Sequence, residues 1–314
     1  MALPNFFLIG APKAGTTALH SILARHPEIG MSAVKEPKFF LTDERPPPPS
    51  PGPGDRWVLG EYVWQREAYE SLFNDVADRP VRGESSPFYL YDRLAQARLK
   101  RLVPDARLVA VLRQPEDRAH SNWTHMSALG REPVTDFLAA CDAEEERRAA
   151  GWEPFWYYKS LGLYGQQLSD LLTNFRPDQL EVVLYEDFQR DPDGVVNRIC
   201  RFLGVAEDAV APESTSRREN QTEYVPPTVR SRALRGLLRQ QRVTHRLVPP
   251  RLRRWGRMLI LEHLKKRATF RPEPTEHERR TLRHWYRDDL AVLSSVVDVD
   301  LSAWAIEAPG PRRA

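Results

Sequence analysis

The chain has 314 residues, 41% of them hydrophobic, a net charge of +3 and two cysteines, Cys141 and Cys200. That length and hydrophobic share fit one large globular domain and leave no run long and apolar enough for a membrane-spanning helix. The start of the chain lacks the charged, apolar and cleavage regions of a secretory signal, and two distant cysteines frame neither a disulfide scaffold nor a metal motif, so the expectation is a soluble, cytoplasmic protein with no metal and two packing cysteines.

In chain order, FFLIG (Phe6–Gly10) reads as a buried strand and Thr17–Arg25 as the helix that follows it. Between them lies APKAGTT. Gly10 and Gly15 have the spacing of the ATP and GTP loop G-x-x-x-x-G-K-[ST], but Thr16 stands in the lysine slot and Lys13 lies inside the loop. A loop that leaves a strand and opens a helix aims backbone N–H groups and the positive end of the helix dipole at one place, which makes an anion site. Ala14 and Gly15 let the backbone approach closely, Thr16 and Thr17 add hydroxyl donors, and Lys13 can reach across the mouth. The bland alternative is a structural turn with an exposed lysine.

Further along, the proline-rich run Pro46–Gly54 can be neither helix nor central strand and is expected to be an exposed, flexible loop. VRGESS (81–86), RLVAVLR (107–113) and LEVVLYED (180–187) read as strands, with helices at Arg93–Leu102, Pro115–Ala128 and Gly165–Phe175. Beyond Val205 the strand pattern fades. Val229–Arg271 holds 14 Lys and Arg against Glu262 alone, a net of +13, so the remainder carries 3 − 13 = −10. Helical patches fall at Leu234–Leu238 and Met258–Leu264. A last helix is expected over Thr275–Val297, with Leu282, Trp285, Tyr286, Leu290 and Leu293 on one face.

Alternating strands and helices imply right-handed crossovers and a parallel sheet covered on both faces. The predicted fold is therefore α/β: a three-layer, P-loop-like domain with a central parallel sheet flanked by helices, plus a helical C-terminal extension. One domain spans 1–314, with residues 1–228 as a nucleotide-binding core and 229–314 as a basic helical extension packed on it.

APKAGTT followed by a helix resembles the loop of sulfotransferases that use 3′-phosphoadenosine 5′-phosphosulfate (PAPS), whose pattern is close to PKxGTT. The resemblance implies that Ala11, Pro12, Lys13, Ala14, Gly15, Thr16 and Thr17 hold the 5′-phosphosulfate, with Lys13 stabilising the leaving group. A second anion site is then needed for the 3′-phosphate. RLVAVLRQPEDRAHSNW resembles the family's strand-ending LR-x-P-x-x-R-x-x-S, which assigns Arg113 and Ser121 to that phosphate and leaves Arg118 either there or in a structural ion pair. LYEDFQRDP resembles the family's YED-x-x-x-DP segment, so Tyr185 is a candidate for the adenine edge or a packing residue. SRRENQT (216–222) lies where relatives close a basic loop over the nucleotide; Arg217 and Arg218 match in charge, but Glu219 stands where those relatives usually have glycine. DVDLSAW near the C-terminus resembles bacterial members, and the dominance of arginine over lysine fits a bacterial source.

Sulfuryl transfer needs a base for the acceptor proton. VRGESSPFYLYD resembles the glutamate-base, heparan-sulfate-type branch, which points to Glu84 as the base. His120 and His125 are the rival bases. His20 and His26 are expected at the surface or in packing. KEPKFF (35–40) resembles the family's E-x-x-F-F region and is expected to line the acceptor cleft, with Glu36 either assisting or structural. WEPFWYY (152–158) is either an aromatic wall for a sugar or phenol, or core. The basic stretch either attracts an anionic acceptor or is a solvated helix face. The predicted activity is transfer of a sulfuryl group from PAPS to a hydroxyl or amine of a glycan, lipid or secondary metabolite, releasing adenosine 3′,5′-bisphosphate. Small-molecule and glycan acceptors, anionic ones included, are the expected partners; no nucleic acid is expected, and a homodimer is compatible with the sequence. The alternatives are a small-molecule P-loop kinase and a non-catalytic protein that binds anions or nucleic acid.

Overall fold

The computed structural model describes residues 3–210 and 273–304. The basic stretch 229–271, with its helical patches, and Arg217 and Arg218 lie outside the described residues. Five strands form one parallel sheet: β1 (Phe6–Gly10), β2 (Ile29–Met31), β3 (Val81–Ser85), β4 (Arg107–Leu112) and β5 (Leu180–Leu184), in the order β2-β3-β1-β4-β5. Around it run α1 (Thr16–Leu23), α2 (Asp55–Leu59), α3 (Arg66–Ser71), α4 (Arg93–Leu102), α5 (Pro115–Ala128), α6 (Phe137–Asp142), α7 (Glu144–Ala149), α8 (Tyr164–Leu172), α9 (Tyr185–Arg190), α10 (Pro192–Leu203) and α11 (Glu276–Val296). The central strands carry almost unbroken apolar runs because helices cover both their faces, and Phe6 to Ile9 and Leu108 to Leu112 are buried.

The helix boundaries follow local chemistry. Asp92 accepts from the Ala95 N–H at 2.8 Å to start α4, Pro115 occupies the first turn of α5, and Thr275 and Glu278 cap the start of α11 reciprocally. Within the sheet, two strands depart from expectation. β2 was not foreseen; three residues around Gly30 are too short for a periodic signal, and Gly30 is needed because a Cβ there would lie 2.3 Å from Val76. The last strand stops at Leu184 rather than running to 187, and Tyr185 opens α9, whose first turn carries Glu186 and Asp187. Those two carboxylates favour a helix N-terminus over a strand.

Strand order explains where a ligand belongs. The connection from β1 leads to β2 on one side of the sheet, whereas β4 leads to β5 on the other. With right-handed crossovers, the direction reverses between β1 and β4, and the loops after these two strands open a crevice at their carboxyl ends. APKAGTT follows β1, and Arg113 follows β4.

The C-terminal helix is built onto this core. α11 packs on α8 and α5, burying Leu282, Tyr286 and Leu293, while Leu290 packs half-buried. Trp285 instead is 42% exposed, so it leaves the expected apolar face, and Lys159 Nζ sits 5.5 Å from its ring centroid. Asp289 accepts from the Gly165 and Gln166 N–H groups, each at 2.9 Å, which satisfies the open start of α8. Arg279 and Arg283 pair with Asp117 and Glu116 in the first turn of α5. A Cβ on Gly165 would lie 2.3 Å from the Asp289 carbonyl oxygen. Gly165→Ala is therefore expected to lose about 1–3 kcal/mol through overpacking, read as a lower urea midpoint; an unshifted midpoint would show that α11 does not bear on α8.

Candidate functional site

Gly15 has φ 87° and lies against the Tyr185 ring, where a Cβ would come within 3.0 Å, so glycine is required to turn the chain into α1. α1 has no side-chain cap and no carboxylate in its first turn, which leaves its first N–H groups facing outward. Lys13 also takes a left-handed conformation, φ 69°, which is costly for a residue with a side chain. Arg113 contributes to holding it there, donating from Nη1 to the Lys13 carbonyl oxygen at 3.3 Å. The Arg113 guanidinium in turn lies 4.8 Å from the Tyr185 ring centroid, and its own carbonyl oxygen accepts from Tyr164 Oη at 2.9 Å. The loop, the end of β4 and the start of α9 thus form one interlocked corner.

This corner opens onto a cleft of about 490 Å³. Pro12, Lys13, Gly15, Thr16 and Thr17 line it on the loop side, with Arg113, Ser121 and Tyr185 beside them. Ala11 and Ala14 do not line it. Both are fully buried and act as packing, with the Ala11 N–H donating to Val111 O at 2.6 Å. Arg118 is buried, too, and donates from Nη2 to the Tyr158 carbonyl oxygen, so its partner is a carbonyl and it takes no place in the cleft.

The lining also includes Glu36, Lys38, Asp55, Glu61, Tyr62 and His125, together with Arg131, Glu153 and Phe155. Glu36 and Lys38 belong to KEPKFF, which crosses the end of β3. The Glu36 N–H donates to Ser85 O at 3.0 Å and the Lys38 N–H to Ser86 Oγ at 3.2 Å. Both residues have left-handed backbones, φ 58° and 60°. The Glu36 carboxylate pairs with Lys35 and keeps 30% of its side chain exposed. Asp55 ties the wall together, accepting from Ser50 Oγ at 2.5 Å, Glu153 N at 3.0 Å and Trp156 Nε1 at 2.9 Å. The end of the proline-rich loop is consequently anchored, although Pro46, Pro48 and Pro49 are exposed. Burial, reinforced by the Asp55 carboxylate, holds Glu153 above the ordinary carboxylate range, against the Tyr62 hydroxyl that donates to it at 3.0 Å. WEPFWYY divides between its two readings: Trp156, Tyr157 and Tyr158 are core, whereas Glu153, Pro154 and Phe155 face the cleft.

Glu84 lies at the carboxyl end of β3, as expected. Its side chain is 0% exposed and does not line the cleft. β3 pairs it with Phe7, inside the sheet, and Tyr69 closes over it by donating a hydrogen bond to Oε2. Of the rival bases, His120 is buried against Trp123 and Phe137, and His125 lines the cleft beside Phe155. His20 bonds Ser85 Oγ through Nδ1 at 2.8 Å, and His26 lies past the end of α1, its Nε2 bonded to Ala206 O at 2.8 Å. Cys141 and Cys200 are both buried and unpaired.

Residues 4–209 match the sequence profile of the Sulfotransferase family, more than half of the chain. The chain belongs to the sulfotransferase family. A solved sulfotransferase from Alicyclobacillus acidocaldarius is 31% identical and superimposes with a TM-score of 0.75, over 97% of this chain and 99% of that one. Among curated proteins, mouse heparan sulfate glucosamine 3-O-sulfotransferase 3B1 is 30% identical over 208 residues, covering 65% of this chain and 46% of that protein. Mouse carbohydrate sulfotransferase 15 is 25% identical over 251 residues, covering 65% of this chain and 44% of its own length. The chain therefore spans less than half the length of these curated relatives. Among the described residues no helix is long and apolar enough to cross a membrane.

Proposed function

We propose that this sulfotransferase-family protein moves a sulfuryl group from PAPS to a hydroxyl or amine of a small-molecule or glycan acceptor. The observation that carries the reading is that the loop of Lys13 to Thr17 and the pair Arg113–Ser121 open side by side onto one cleft, at the switch point of the sheet. That arrangement fits a donor with an anionic group at each end: N–H groups of α1 and the two threonine hydroxyls at one, an arginine fork and a serine at the other. PAPS supplies the sulfuryl group and leaves as adenosine 3′,5′-bisphosphate. Lys13 is placed to neutralise charge on the leaving oxygen, Arg113 and Ser121 to hold the 3′-phosphate, and the Tyr185 ring to flank the nucleoside.

Two carboxyl groups are candidates for the base: Glu84, which the resemblance to the glutamate branch implies and whose burial raises its carboxyl to about 7, and Glu36, which lines the cleft. A general base must come within hydrogen-bond reach of the proton it takes in the complex with acceptor, and substitution of each tests that. His125, in the same lining, is the third candidate. The acceptor class rests on the relatives, two of which are named for carbohydrate or heparan sulfate substrates; a glucosamine-containing oligosaccharide is accordingly the first probe. A bacterial source, a cytoplasmic location, secondary-metabolite acceptors and a homodimer belong to the same proposal.

Calorimetry is expected to show adenosine 3′,5′-bisphosphate binding at least about tenfold more tightly than AMP, since a charge-assisted hydrogen bond contributes roughly 1.5–3 kcal/mol. Equal affinities would remove the 3′-phosphate site and the reading with it. Arg113→Ala is expected to weaken the bisphosphate by about 10- to 100-fold and leave AMP almost unchanged, for the same reason. Mass-spectrometric detection of sulfate on the oligosaccharide, dependent on PAPS, tests the transfer itself.

A further inference from the structure

α11 lies outside the span that matches the Sulfotransferase profile, yet two routes of contact lead from it to Arg113. The first runs through the start of α5. Arg283 pairs with the Glu116 carboxylate, whose side chain is 1% exposed. Glu116 Oε1 also accepts from Gln114 Nε2 at 2.8 Å, and Gln114 is the residue that follows Arg113. The Gln114 N–H donates in turn to Glu186 Oε1 at 3.1 Å, next to Tyr185, whose ring meets the Arg113 guanidinium. The second route runs through α8. Asp289 accepts from the Gly165 and Gln166 N–H groups and so fixes the first turn of that helix. Tyr164, the residue before them, donates from Oη to the Arg113 carbonyl oxygen at 2.9 Å. Trp304, past the end of α11, packs its ring against Tyr164 at 6.2 Å between centroids. Arg113 is thus held at its carbonyl from α8 and through its neighbour from α5, and both supports rest on α11.

We propose that Arg283 and Asp289 of α11 are positioning residues for the nucleotide site: Arg283, through Glu116 and Gln114, and Asp289, through the first turn of α8 and Tyr164, hold Arg113 where its guanidinium meets the 3′-phosphate. The inference rests on the role that the sulfotransfer reading gives to Arg113. An arginine fork on phosphate depends on orientation, and a misplacement of about 1 Å is costly at such a site. Glu116 is buried, so loss of the Arg283 cation leaves its charge uncompensated. The carboxylate then turns toward water and releases the Gln114 amide, at the residue that adjoins Arg113. Loss of the Asp289 carboxylate acts from the other side: the Gly165 and Gln166 N–H groups lose their acceptor, and the turn that carries Tyr164 loosens.

The test compares wild type with Arg283→Ala, Asp289→Ala and a control, Arg280→Ala, whose side chain is 78% exposed and pairs with Glu276 on α11 itself. Calorimetry gives the affinities for adenosine 3′,5′-bisphosphate and for AMP. A variant that is merely less folded weakens both nucleotides by the same factor, because each apparent affinity is reduced by the competent fraction. The ratio of the two affinities therefore reports the 3′-phosphate site. Arg283→Ala and Asp289→Ala are each expected to lower that ratio by at least about threefold, and Arg280→Ala to keep it. Asp289→Ala leaves Glu116 its cation, so a misfolded Arg283→Ala leaves the test standing. A fall of less than about threefold in both variants overturns the proposal, and so does an equal fall in Arg280→Ala. Crystal structures of the same proteins report where the Arg113 guanidinium lies, whether or not nucleotide binds. A wild type with no preference for the bisphosphate defeats the functional reading instead. The crystal comparison then decides the positioning role: displacement by about 1 Å or more in the two variants upholds it, and an unmoved guanidinium in both overturns it.

Discussion

Glu36→Gln is expected to lower kcat by about 10²- to 10⁴-fold while changing affinity for adenosine 3′,5′-bisphosphate by less than about twofold, the range over which a positioned general base contributes. The two readouts separate because Glu36 lines the cleft from KEPKFF, whereas the groups proposed to hold the nucleotide lie on the loop before α1, α1 itself, the residue after β4, α5 and α9. An amide there keeps the shape of the side chain and its place over β3, since the turn is held through the Glu36 backbone N–H. The ability to take a proton is lost, together with the ion pair to Lys35. Glu84→Gln and His125→Ala serve as the paired measurements: if one of them abolishes turnover and Glu36→Gln does not, the base belongs on β3 or α5 rather than on KEPKFF. Product formation is followed by mass spectrometry and affinity by calorimetry on the same preparations.

What could be read without a structure was local. APKAGTT announces itself because a strand, a turn and a helix start are consecutive, and Arg113 follows β4 by a single residue. The boundaries of α4 and α5 were legible for the same reason: a capping Asp92 and Pro115 are neighbours of the helices they start. The acceptor side was hidden because its contacts are distant in sequence. Asp55 meets Trp156 across 101 positions, and Lys38 meets Ser86 across 48. Glu36 and Lys38 add a second obstacle, for left-handed backbones at ordinary residues carry no signal comparable to glycine. The depth of Glu84 was hidden as well. The sequence shows a carboxylate near a strand end, but only the pairing with Phe7 and the Tyr69 hydroxyl from a separate helix reveal that it is fully buried.

Glu84→Gln carries the largest expected effect on stability, and its sign depends on pH. An unfolded Glu84 titrates near 4.5, whereas the folded carboxyl is pushed up to about 7 by burial. Between those values the folded chain keeps a proton that the unfolded chain has released, so this group's contribution to stability falls as pH rises through the window. Above 7 the folded chain bears a buried carboxylate and the loss is complete. At 1.36 kcal/mol per pKa unit the full difference is on the order of 3 kcal/mol. A glutamine at 84 has nothing to titrate and still offers an oxygen to Tyr69. Relative to wild type, Glu84→Gln is therefore expected to gain stability at pH 8 by up to about 3 kcal/mol and to gain little at pH 5. Other ionisable groups are common to both proteins and cancel in the comparison. Guanidinium unfolding at the two pH values measures it: a gain of the same size at both would mean that Glu84 is already ionised at pH 5, contrary to the burial of its carboxyl beneath Tyr69.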